Sequence, residues 1–224
     1  MRVQDKVTVA TIHAGGQTLM LLPEKAVFLP ETGTLLVADA HIGKAASFRR
    51  LGVPVPHGTT AETLDALGAL ILRLAARRVI VLGDFLHSAG AHAAGTQATL
   101  ARWREAHAAT ELTLVRGNHD DLAGDPAPAL HIETLDEPLH LGGLALCHHP
   151  RPHPGRYVLA GHLHPCISVS GRANDHMRLP CFHFGPEVGV LPAFGAFTGM
   201  HALRVAPGDR VYAVAEDGVV RIAR

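Results

Sequence analysis

Seven side chains that can bind metal ions occur in five short segments of the sequence. The segments read Asp-Ala-His at 39–41, Gly-Asp at 83–84, Gly-Asn-His-Asp at 117–120, His at 148 and Gly-His-Leu-His at 161–164. Each segment alone is a weak signal, because such short combinations are common. Together they predict a metal centre whose ligands are Asp39, His41, Asp84, Asn118, His148, His162 and His164.

The residue types and their spacing favour two divalent cations over one. Residues two positions apart point to the same side of an extended chain, which applies to Asp39 with His41 and to His162 with His164. Two cations about 3.5–4 Å apart repel each other, and a carboxylate shared between them reduces that repulsion. Carboxylate, imidazole and amide ligands suit manganese, iron or zinc better than calcium. We expect two divalent ions, with manganese as the first choice and iron or zinc as alternatives.

The first half of the chain is predicted to place three of these segments at strand ends. Three apolar, β-branched runs predict buried strands that stop just before the first three segments, at 34–38, 79–82 and 112–115. Helices are predicted at 43–51, 59–77 and 97–108, and the second has the spacing of a capping box at Thr59 and Glu62. This alternation is typical of a βαβ sheet, in which ligands bind beyond the carboxyl ends of the strands.

The second half has a different pattern, with short strand candidates separated by glycine and proline turns. These candidates lie at 144–147, 157–160, 166–169, 177–184, 211–215 and 219–222. Asp217-Gly218 predicts a hairpin between the last two. We expect a second sheet packed on the first, in one α/β domain that spans residues 1–224, because no linker separates the halves.

Composition narrows the class of protein. Apolar residues make up 47% and charged residues 18%, which fits a packed globular protein. The 20 Lys and Arg equal the 20 Asp and Glu, so bulk charge does not attract nucleic acid, although a local cluster can. Three cysteines without a CxxC pair favour a reducing cytoplasm. The sequence lacks the apolar runs of a signal peptide or a membrane span, so we expect no membrane partner.

The order of the segments resembles the calcineurin-like metallophosphoesterase superfamily, over roughly residues 35–165. The resemblance implies a four-layer α-β-β-α sandwich, in which helices flank two packed mixed sheets. It implies one metal held by Asp39, His41, Asp84 and His164. It implies a second held by Asp84, Asn118, His148 and His162, so that Asp84 bridges the two. A metal-bridging hydroxide would then attack phosphorus in line.

The same resemblance assigns catalytic roles close to the ligands. His119 is expected to remain free of metal and to protonate the leaving oxygen or stabilise the charged phosphoryl group. His87, three residues after Asp84, is similar to a phosphate-contacting histidine of the double-strand-break repair nucleases in the superfamily, although it is alternatively an ordinary loop histidine. Asp120 has two interpretations, since it either orients His119 or caps the next turn.

The segment around Pro150 contains one uncertain ligand and one candidate substrate contact. His148 matches the family's ligand after an apolar strand better than His149 does. His149 then either points away from the metals or contacts their ligands without binding metal itself. Arg151 follows closely and is the first candidate for the substrate phosphate, because a guanidinium group binds phosphate through two hydrogen bonds. Arg116, just before the third segment, is the second candidate. A solvated surface arginine is the alternative for each.

Longer stretches are similar to the ligase-associated DNA damage response endonucleases. They read VADAHIGKA at 37–45, PRP at 150–152, GRYVLAGHLHP at 155–165, LPCF at 179–182 and LPAFGAFTG at 191–199. The last of them either orders a loop near the site or only joins strands. This resemblance implies a bacterial phosphodiesterase that cuts DNA in repair, encoded near a DNA ligase and a helicase with which it is functionally associated.

Two other functions compete with the nuclease interpretation. A phosphodiesterase or phosphatase for small nucleotides or cyclic phosphodiesters would suit the compact chain and its zero net charge. A scaffold without catalysis would have the same fold, but such proteins usually lack several ligands or the histidine at the position of His119. All of these residues are present, so the scaffold ranks last.

Overall fold

Two β-sheets packed face to face form the body of the protein, which a computed structural model describes for residues 8–56, 58–170, 176–216 and 218–222. The first sheet contains seven strands in chain order: β1 (Ala10–Ala14), β2 (Gln17–Leu22), β3 (Ala26–Leu29), β4 (Thr34–Val37), β5 (Arg78–Leu82), β6 (Glu111–Val115) and β7 (Ile132–Leu135). Strands β1 to β4 pair antiparallel. Strands β4 to β7 pair parallel, so the sheet is mixed.

The second sheet contains nine strands from the rest of the chain. They are β8 (Leu139–Leu141), β9 (Leu144–Leu146), β10 (Tyr157–Ala160), β11 (Pro165–Ser170), β12 (His176–Phe184), β13 (Val188–Val190), β14 (His201–Ala202), β15 (Arg210–Ala215) and β16 (Gly218–Ile222). Strand β10 pairs parallel with β9 and β13, while β12 pairs antiparallel with β11, β13 and β15. Asp217 of the predicted hairpin lies outside the described residues, and its neighbours Ala215 and Gly218 are paired.

Four α-helices and two short 3-10 helices come from the middle of the described chain. They are α1 (Lys44–Arg50), α2 (Thr59–Leu74), α3 (Ala94–Ala106) and α4 (Asn118–Ala123), with 3-10 turns at Ala89–His92 and Pro128–Leu130. Helices α2 and α3 bury one face against the first sheet, where Leu67 and Leu100 join a core with Val79 and Val81. None of the helices in the described part of the chain has the length and apolar character needed to cross a membrane.

A second core lies between the sheets. Alternate residues of the parallel strands point to opposite faces, so Leu36 and Ile80 face the second sheet rather than the helices. There they meet Leu146, Leu159 and Phe182 of the second sheet, all of which are fully buried. This apolar contact fixes the position of one sheet on the other, and with it the strand ends that carry the predicted ligands.

The predicted α/β class with two packed mixed sheets is confirmed. The described helices lie on the outer face of the first sheet. The outer face of the second sheet carries a small cluster of Ala145, Cys147, Val158 and Ala160, and no helix in the described residues covers it. The second helical layer of the expected sandwich is therefore not seen in this part of the chain. All three cysteines are free.

The predicted capping box at the start of α2 is wrong. Gly58 caps the helix instead, with a left-handed backbone (φ 87°), and its carbonyl accepts the backbone N–H of Glu62. Thr59 lies inside the first turn and makes no cap bond. The helix also ends at Leu74, three residues before the predicted end, because Ala75 adopts the left-handed conformation and turns the chain towards β5.

Candidate metal centre

The seven predicted ligands lie at the carboxyl ends of parallel strands in both sheets. They follow β4 (Asp39, His41), β5 (Asp84), β6 (Asn118), β9 (His148) and β10 (His162, His164). Hydrogen bonds join the two sets across the sheets. The Leu82 carbonyl of the first sheet lies 3.1 Å from His148 Nδ1, and the backbone N–H of His162 donates to the Asp39 carboxylate at 3.0 Å. The sheet–sheet packing therefore assembles the site.

One group of ligand atoms forms around His41. His41 Nε2 lies 3.3 Å from His164 Nε2, and His164 Nε2 lies 3.5 Å from Asp39 Oδ1. Asp84 contributes Oδ2, which is 3.8 Å from His41 Nε2. These are the four residues predicted to share one metal.

A second group forms around His148. His148 Nε2 lies 3.0 Å from Asn118 Oδ1, 3.0 Å from His162 Nδ1 and 3.5 Å from Asp84 Oδ1. Asp84 therefore turns one carboxylate oxygen to each group, as a bridging ligand must. The two groups contain the two predicted ligand sets.

The chemistry of these atoms fits metal cations better than a hydrogen-bond network. The carboxylates of Asp39 and Asp84 are 0% and 2% exposed, and no lysine or arginine of the described chain forms an ion pair with them. Four lone-pair donors converge in each group, and a proton can join only two of them at a time. Buried carboxylates of this kind require positive charge, which divalent ions would supply.

Hydrogen bonds from the remaining ring nitrogens orient the histidines. Leu82 O and Gly199 O lie within 3.1 and 3.2 Å of Nδ1 of His148 and His164, so each Nδ1–H donates outward and Nε2 is left bare. Burial lowers the pKa of His41 to about 2 and also lowers the pKa of His148. Neutral imidazoles with a bare nitrogen directed inward are the form that binds metal.

The backbone of the ligand loops is in an unusual conformation. Five of the seven predicted ligands have a left-handed φ between 46° and 70°, namely Asp39, His41, Asp84, His162 and His164. Such residues cost about 1–3 kcal/mol each and persist only where the surroundings hold them. Here the backbone N–H groups of Asp39 and His41 donate to the carbonyls of Gly83 and Asp84 at 3.1 and 2.9 Å. The first two loops are thus tied together before any ion binds.

Two glycines make room for the carboxylates. A Cβ on Gly117 would lie 2.3 Å from Asp84 Oδ1, and a Cβ on Gly161 would lie 2.6 Å from Asp39 Oδ2. Both distances are far below van der Waals contact. Only glycine allows the third and fifth ligand segments to approach the two aspartates this closely.

The two predicted catalytic histidines lie together beside His41. The rings of His87 and His119 stack with centroids 4.8 Å apart, and His119 meets the His41 ring edge-on at 4.9 Å. His119 Nδ1–H donates to the backbone carbonyl of His87 at 2.7 Å, which leaves Nε2 free. His87 Nδ1 lies 3.4 Å from His41 Nδ1, and burial lowers the pKa of His87 to about 4.

Asp120 is a structural cap in this structure. Its carboxylate is 1% exposed and accepts backbone N–H groups from Leu86 at 2.8 Å, Gly117 at 3.0 Å and Phe85 at 3.3 Å. Burial raises its pKa to about 6. The carboxylate makes no hydrogen bond to the His119 ring, so of the two predicted roles the structure contains the cap. The cap ties the loop after β5 to the loop after β6.

The ion pairs of Arg116 disfavour its predicted substrate role, which stays a prediction. Its guanidinium donates two bonds of 2.8 Å to Asp125 and one of 2.7 Å to Asp136, which raises the pKa of the arginine. These bonds occupy three of the five N–H donors of the guanidinium, and the two carboxylates offset its charge, which disfavours binding to a phosphate. Arg151 is exposed, and its role stays a prediction.

Sequence reasoning missed Glu137, which forms hydrogen bonds to the backbone of His148 in the second ligand group. Its Oε2 accepts the backbone N–H groups of His148 at 2.7 Å and His149 at 2.9 Å, and its Oε1 lies 2.8 Å from His149 Nδ1. One ring nitrogen of His149 lies within 4.8 Å of ring nitrogens of His148 and His162. His149 therefore lies beside the ligands rather than pointing away. No pattern in the sequence links a glutamate to histidines eleven and twelve residues later.

The segment 191–199 orders the loop that carries Asp39. The backbone N–H of Phe194 donates to the carbonyl of Ala38 at 2.8 Å, and that of Gly195 donates to the carbonyl of Asp39 at 3.2 Å. The half-buried Lys25 ammonium donates to the Phe194 carbonyl at 2.9 Å on the other side of the segment. Of the two interpretations of this segment, the structure contains the ordered loop at the site.

Similarity to a solved nuclease identifies the family. The crystal structure of the Pseudomonas putida nuclease MPE matches 96% of this chain and 100% of its own chain, with 41% sequence identity and a TM-score of 0.85. The chain belongs to the family of this nuclease. It is therefore an enzyme of the phosphoesterase and nuclease class, and its clustered Asp and His residues can hold metal ions. The predicted metallophosphoesterase-type fold is confirmed.

Other comparisons are more distant. The Escherichia coli phosphoesterase YfcE shares 15% identity over 85% of this chain and 98% of its own, with a TM-score of 0.42. The Aquifex aeolicus protein AQ665 shares 18% identity over 63% of this chain and 81% of its own, with a TM-score of 0.39. No protein-family model and no curated protein sequence matches the chain.

Proposed function

We propose that this chain is a dinuclear, manganese-dependent phosphodiesterase that cuts DNA during repair in the bacterial cytoplasm. The observation that supports it most is the position of Asp84, whose two oxygens face two separate groups of ligands. The likeness to nuclease MPE supports a nucleic-acid substrate. The stretches 37–45 and 155–165 contain four of the seven predicted ligands and are among those that resemble the ligase-associated endonucleases. On that resemblance we also propose a functional association with a DNA ligase and a helicase.

Two divalent ions bound here would polarise the phosphate and activate a water molecule. The first would be held by Asp39, His41, His164 and Asp84 and the second by Asn118, His148, His162 and Asp84. Burial lowers the pKa of His41, His148 and His162 and so favours their neutral form. Backbone carbonyls bonded to Nδ1 of His148 and His164 leave the Nε2 of these two rings directed inward. Little reorganisation is then needed when the ions bind.

His119 is the group that would transfer a proton to the leaving oxygen. Its Nδ1–H remains bonded to the His87 carbonyl, so only Nε2 can exchange a proton with a substrate. In the protonated ring, Nε2–H would donate to the ester oxygen as the P–O bond breaks, and the ring would return to its neutral form. The stacked His87 ring keeps His119 from rotating away.

A test of the phosphodiesterase activity uses bis-p-nitrophenyl phosphate and the purified protein with manganese. We expect turnover in the wild type and its loss in both Asp84→Asn and His119→Ala. The two variants should differ in metal content, because Asp84→Asn removes the bridging charge while His119→Ala leaves all seven ligands in place. The exposed His140 lies outside the site, so His140→Ala is the matched control and should retain turnover. Absence of hydrolysis with every divalent metal would favour the scaffold.

A second experiment tests the DNA substrate. Single-stranded DNA, duplex ends, nicks, loops, RNA and mononucleotides are compared at one manganese concentration. Cleavage of DNA within the strand or at its ends supports the nuclease proposal. Hydrolysis of mononucleotides or cyclic phosphodiesters without any cleavage of DNA would reject it in favour of a small-nucleotide enzyme.

A further inference from the structure

Two phenylalanine rings lie at the edge of the metal centre, on the side of the predicted catalytic histidines. Phe48, on α1, has its ring centroid 6.2 Å from that of His87. Phe197, from the loop after β13, meets the Phe48 ring edge-on with centroids 5.8 Å apart. His87 in turn stacks on His119, which meets the ring of His41. A continuous chain of ring contacts therefore joins a predicted metal ligand to Phe197.

Hydrogen bonds fix the two elements that carry these rings. On α1, the hydroxyl of Ser47 lies 2.8 Å from that of Ser88 and so joins the helix to the loop of His87. In the loop after β13, the Gly199 carbonyl accepts the Nδ1–H of the predicted ligand His164 at 3.2 Å. Both rings are therefore held next to residues of the metal centre, one by a catalytic loop and the other by a ligand.

The two rings are not part of the structural core. Neither belongs to an apolar core of the described residues, and both are only half-buried. Exposed apolar side chains follow each ring in the chain, namely Leu51 and Val53 after Phe48 and Met200 after Phe197. Apolar surface is thus present beside a site whose other groups are imidazoles, an amide and carboxylates. Exposed apolar surface of this kind marks a binding site.

We propose that Phe48 and Phe197 stack on an unpaired nucleobase next to the phosphodiester bond that is cut. The inference rests on the proposed function, because it assumes that a nucleic-acid phosphate lies at the two ligand groups. A single sugar separates that phosphate from its base, so the base must lie at the edge of the site, where the rings are.

The shape of the ring pair suits a flat base. The edge-on contact leaves at least one ring face that the other phenylalanine does not cover. Every base has a flat π-face, so stacking on such a ring tolerates any sequence. The base must be unpaired, because within a duplex its faces are covered by neighbouring bases, whereas unstacked bases are free to bind aromatic side chains.

The experiment compares two single-stranded oligonucleotides of equal length, one with its bases and one abasic. Both contain phosphorothioate linkages to slow cleavage, and fluorescence anisotropy measures their affinity for the manganese-loaded protein. The wild type should bind the strand with bases more tightly than the abasic strand. Phe48→Ala and Phe197→Ala should each weaken binding of the strand with bases about 5- to 100-fold, the usual effect of losing a stacked base. The affinities for the abasic strand and for manganese should not change.

Conservative variants separate stacking from simple apolar contact. Phe197→Tyr keeps the flat ring and should bind both strands like the wild type. Phe197→Leu keeps an apolar side chain without the ring and should behave like Phe197→Ala. Leu72→Ala removes an exposed apolar side chain near the carboxyl end of α2 and is the matched control, which should bind both strands like the wild type.

The possible results separate this inference from alternatives. Equal losses of affinity for the two strands would overturn it, because an abasic strand has no base to stack. Unchanged affinity in all variants would also overturn it and would leave the rings to a protein partner. Weaker manganese binding in the alanine variants would make the rings a support of the metal centre, which overturns it as well. A wild type that binds bases through these rings, yet hydrolyses no phosphodiester, would reject the proposed function and leave the stacking contact standing.

Discussion

At the scale of single residues, the site depends on backbone positions that few side chains tolerate. Asp39, Asp84 and His162 hold a left-handed φ, which aspartate and histidine adopt more readily than branched residues. Gly161 precedes one of them and approaches the carboxylate of another. The choice of residue at each position is therefore constrained twice, by metal chemistry and by backbone conformation.

Gly161→Ala should weaken manganese binding without unfolding the protein. The added methyl would meet Asp39 Oδ2 at 2.6 Å and the Leu82 carbonyl at 2.9 Å, so the loop that carries His162 and His164 must move. We expect a loss in manganese affinity of about 10- to 100-fold, as for other changes that misplace metal ligands. Gly95→Ala is the control, since nothing lies within 4 Å of the added methyl. Wild-type manganese affinity in Gly161→Ala would contradict the close approach.

His87→Ala separates the two contributions of His87. Its bond to His119 comes from the backbone carbonyl, which alanine retains, whereas the stacked ring is lost. If the ring contacts substrate as predicted, turnover of bis-p-nitrophenyl phosphate should fall about 100-fold or more with manganese content unchanged. A variant with full turnover would leave His87 as an ordinary loop histidine.

At the scale of secondary structure elements, Lys25 connects the segment 191–199 to the turn between β2 and β3 by a hydrogen bond. The residue lies between β2 and β3, and its half-buried ammonium donates to the Phe194 carbonyl at 2.9 Å and reaches the Gly195 carbonyl at 3.5 Å. Both residues in turn bond the chain around Asp39. This connects the turn between β2 and β3 to Asp39, a predicted metal ligand that follows β4.

Lys25→Met should lower stability and metal affinity together. The apolar side chain leaves buried carbonyl oxygens without a donor, so we expect a loss of about 1–3 kcal/mol in the free energy of unfolding. Urea denaturation and manganese titration measure the two effects. Arg73→Met removes an exposed ion pair with Glu24 and should cost less than about 1 kcal/mol. Equal losses in the two variants would argue against a special role for Lys25.

Arg116→Ala tests the predicted substrate contact of Arg116, which its ion pairs disfavour. Arg116 links the end of β6 to Asp125 and Asp136 in exposed ion pairs, so its loss should cost at most about 1 kcal/mol in the free energy of unfolding. The KM for bis-p-nitrophenyl phosphate should not change. Arg151→Ala should raise it if the remaining prediction is right. A raised KM in Arg116→Ala alone would restore the original assignment.

Sequence reasoning succeeded where a local pattern determines the structure. The apolar runs that form β4, β5 and β6 are buried on both faces, so their apolar composition is enough to identify them as strands. The residues that follow these strands are the candidate ligands. The roles of Arg116 and Glu137 were not predictable, because each is defined by partners brought near by other turns of the chain. Strands β1 and β3 were not predicted, although they are as long as β5 and β4. Strand β1 alternates apolar and polar residues and therefore lacks the continuous apolar run that marked β4 to β6.

At the scale of the whole molecule, the metal centre joins the two sheets. The ligand groups combine residues of both sheets, as in the contact of Asn118 with His148. Ions bound there would cross-link the sheets and stabilise the native state by mass action, since the unfolded chain does not assemble the ligands. Without ions, the same buried histidines and carboxylates should make stability depend strongly on pH.

His41 determines much of that dependence in the metal-free protein. Its pKa is about 2 in the folded chain, because burial disfavours the charged ring, and 6.5 is the ordinary value that applies when unfolded. The unfolded state therefore binds more protons between these values, and the stability contributed by neutral His41 is lost as pH falls below 6.5. Between pH 7 and pH 5 this amounts to about 2 kcal/mol. The raised pKa of Asp120, about 6, acts in the opposite direction.

A comparison of wild type with His41→Gln isolates this contribution. Urea denaturation of both proteins in the presence of a chelator gives the free energy of unfolding at pH 7 and pH 5. The change caused by acid should be more destabilising in the wild type by about 2 kcal/mol, because glutamine has no proton to bind and Asp120 acts equally in both. Saturating manganese at pH 7 should stabilise the wild type more than the variant, which lacks one ligand. Identical pH dependence in the two proteins would mean that His41 is charged or exposed in the folded chain, and it would then be no ligand in a buried metal centre.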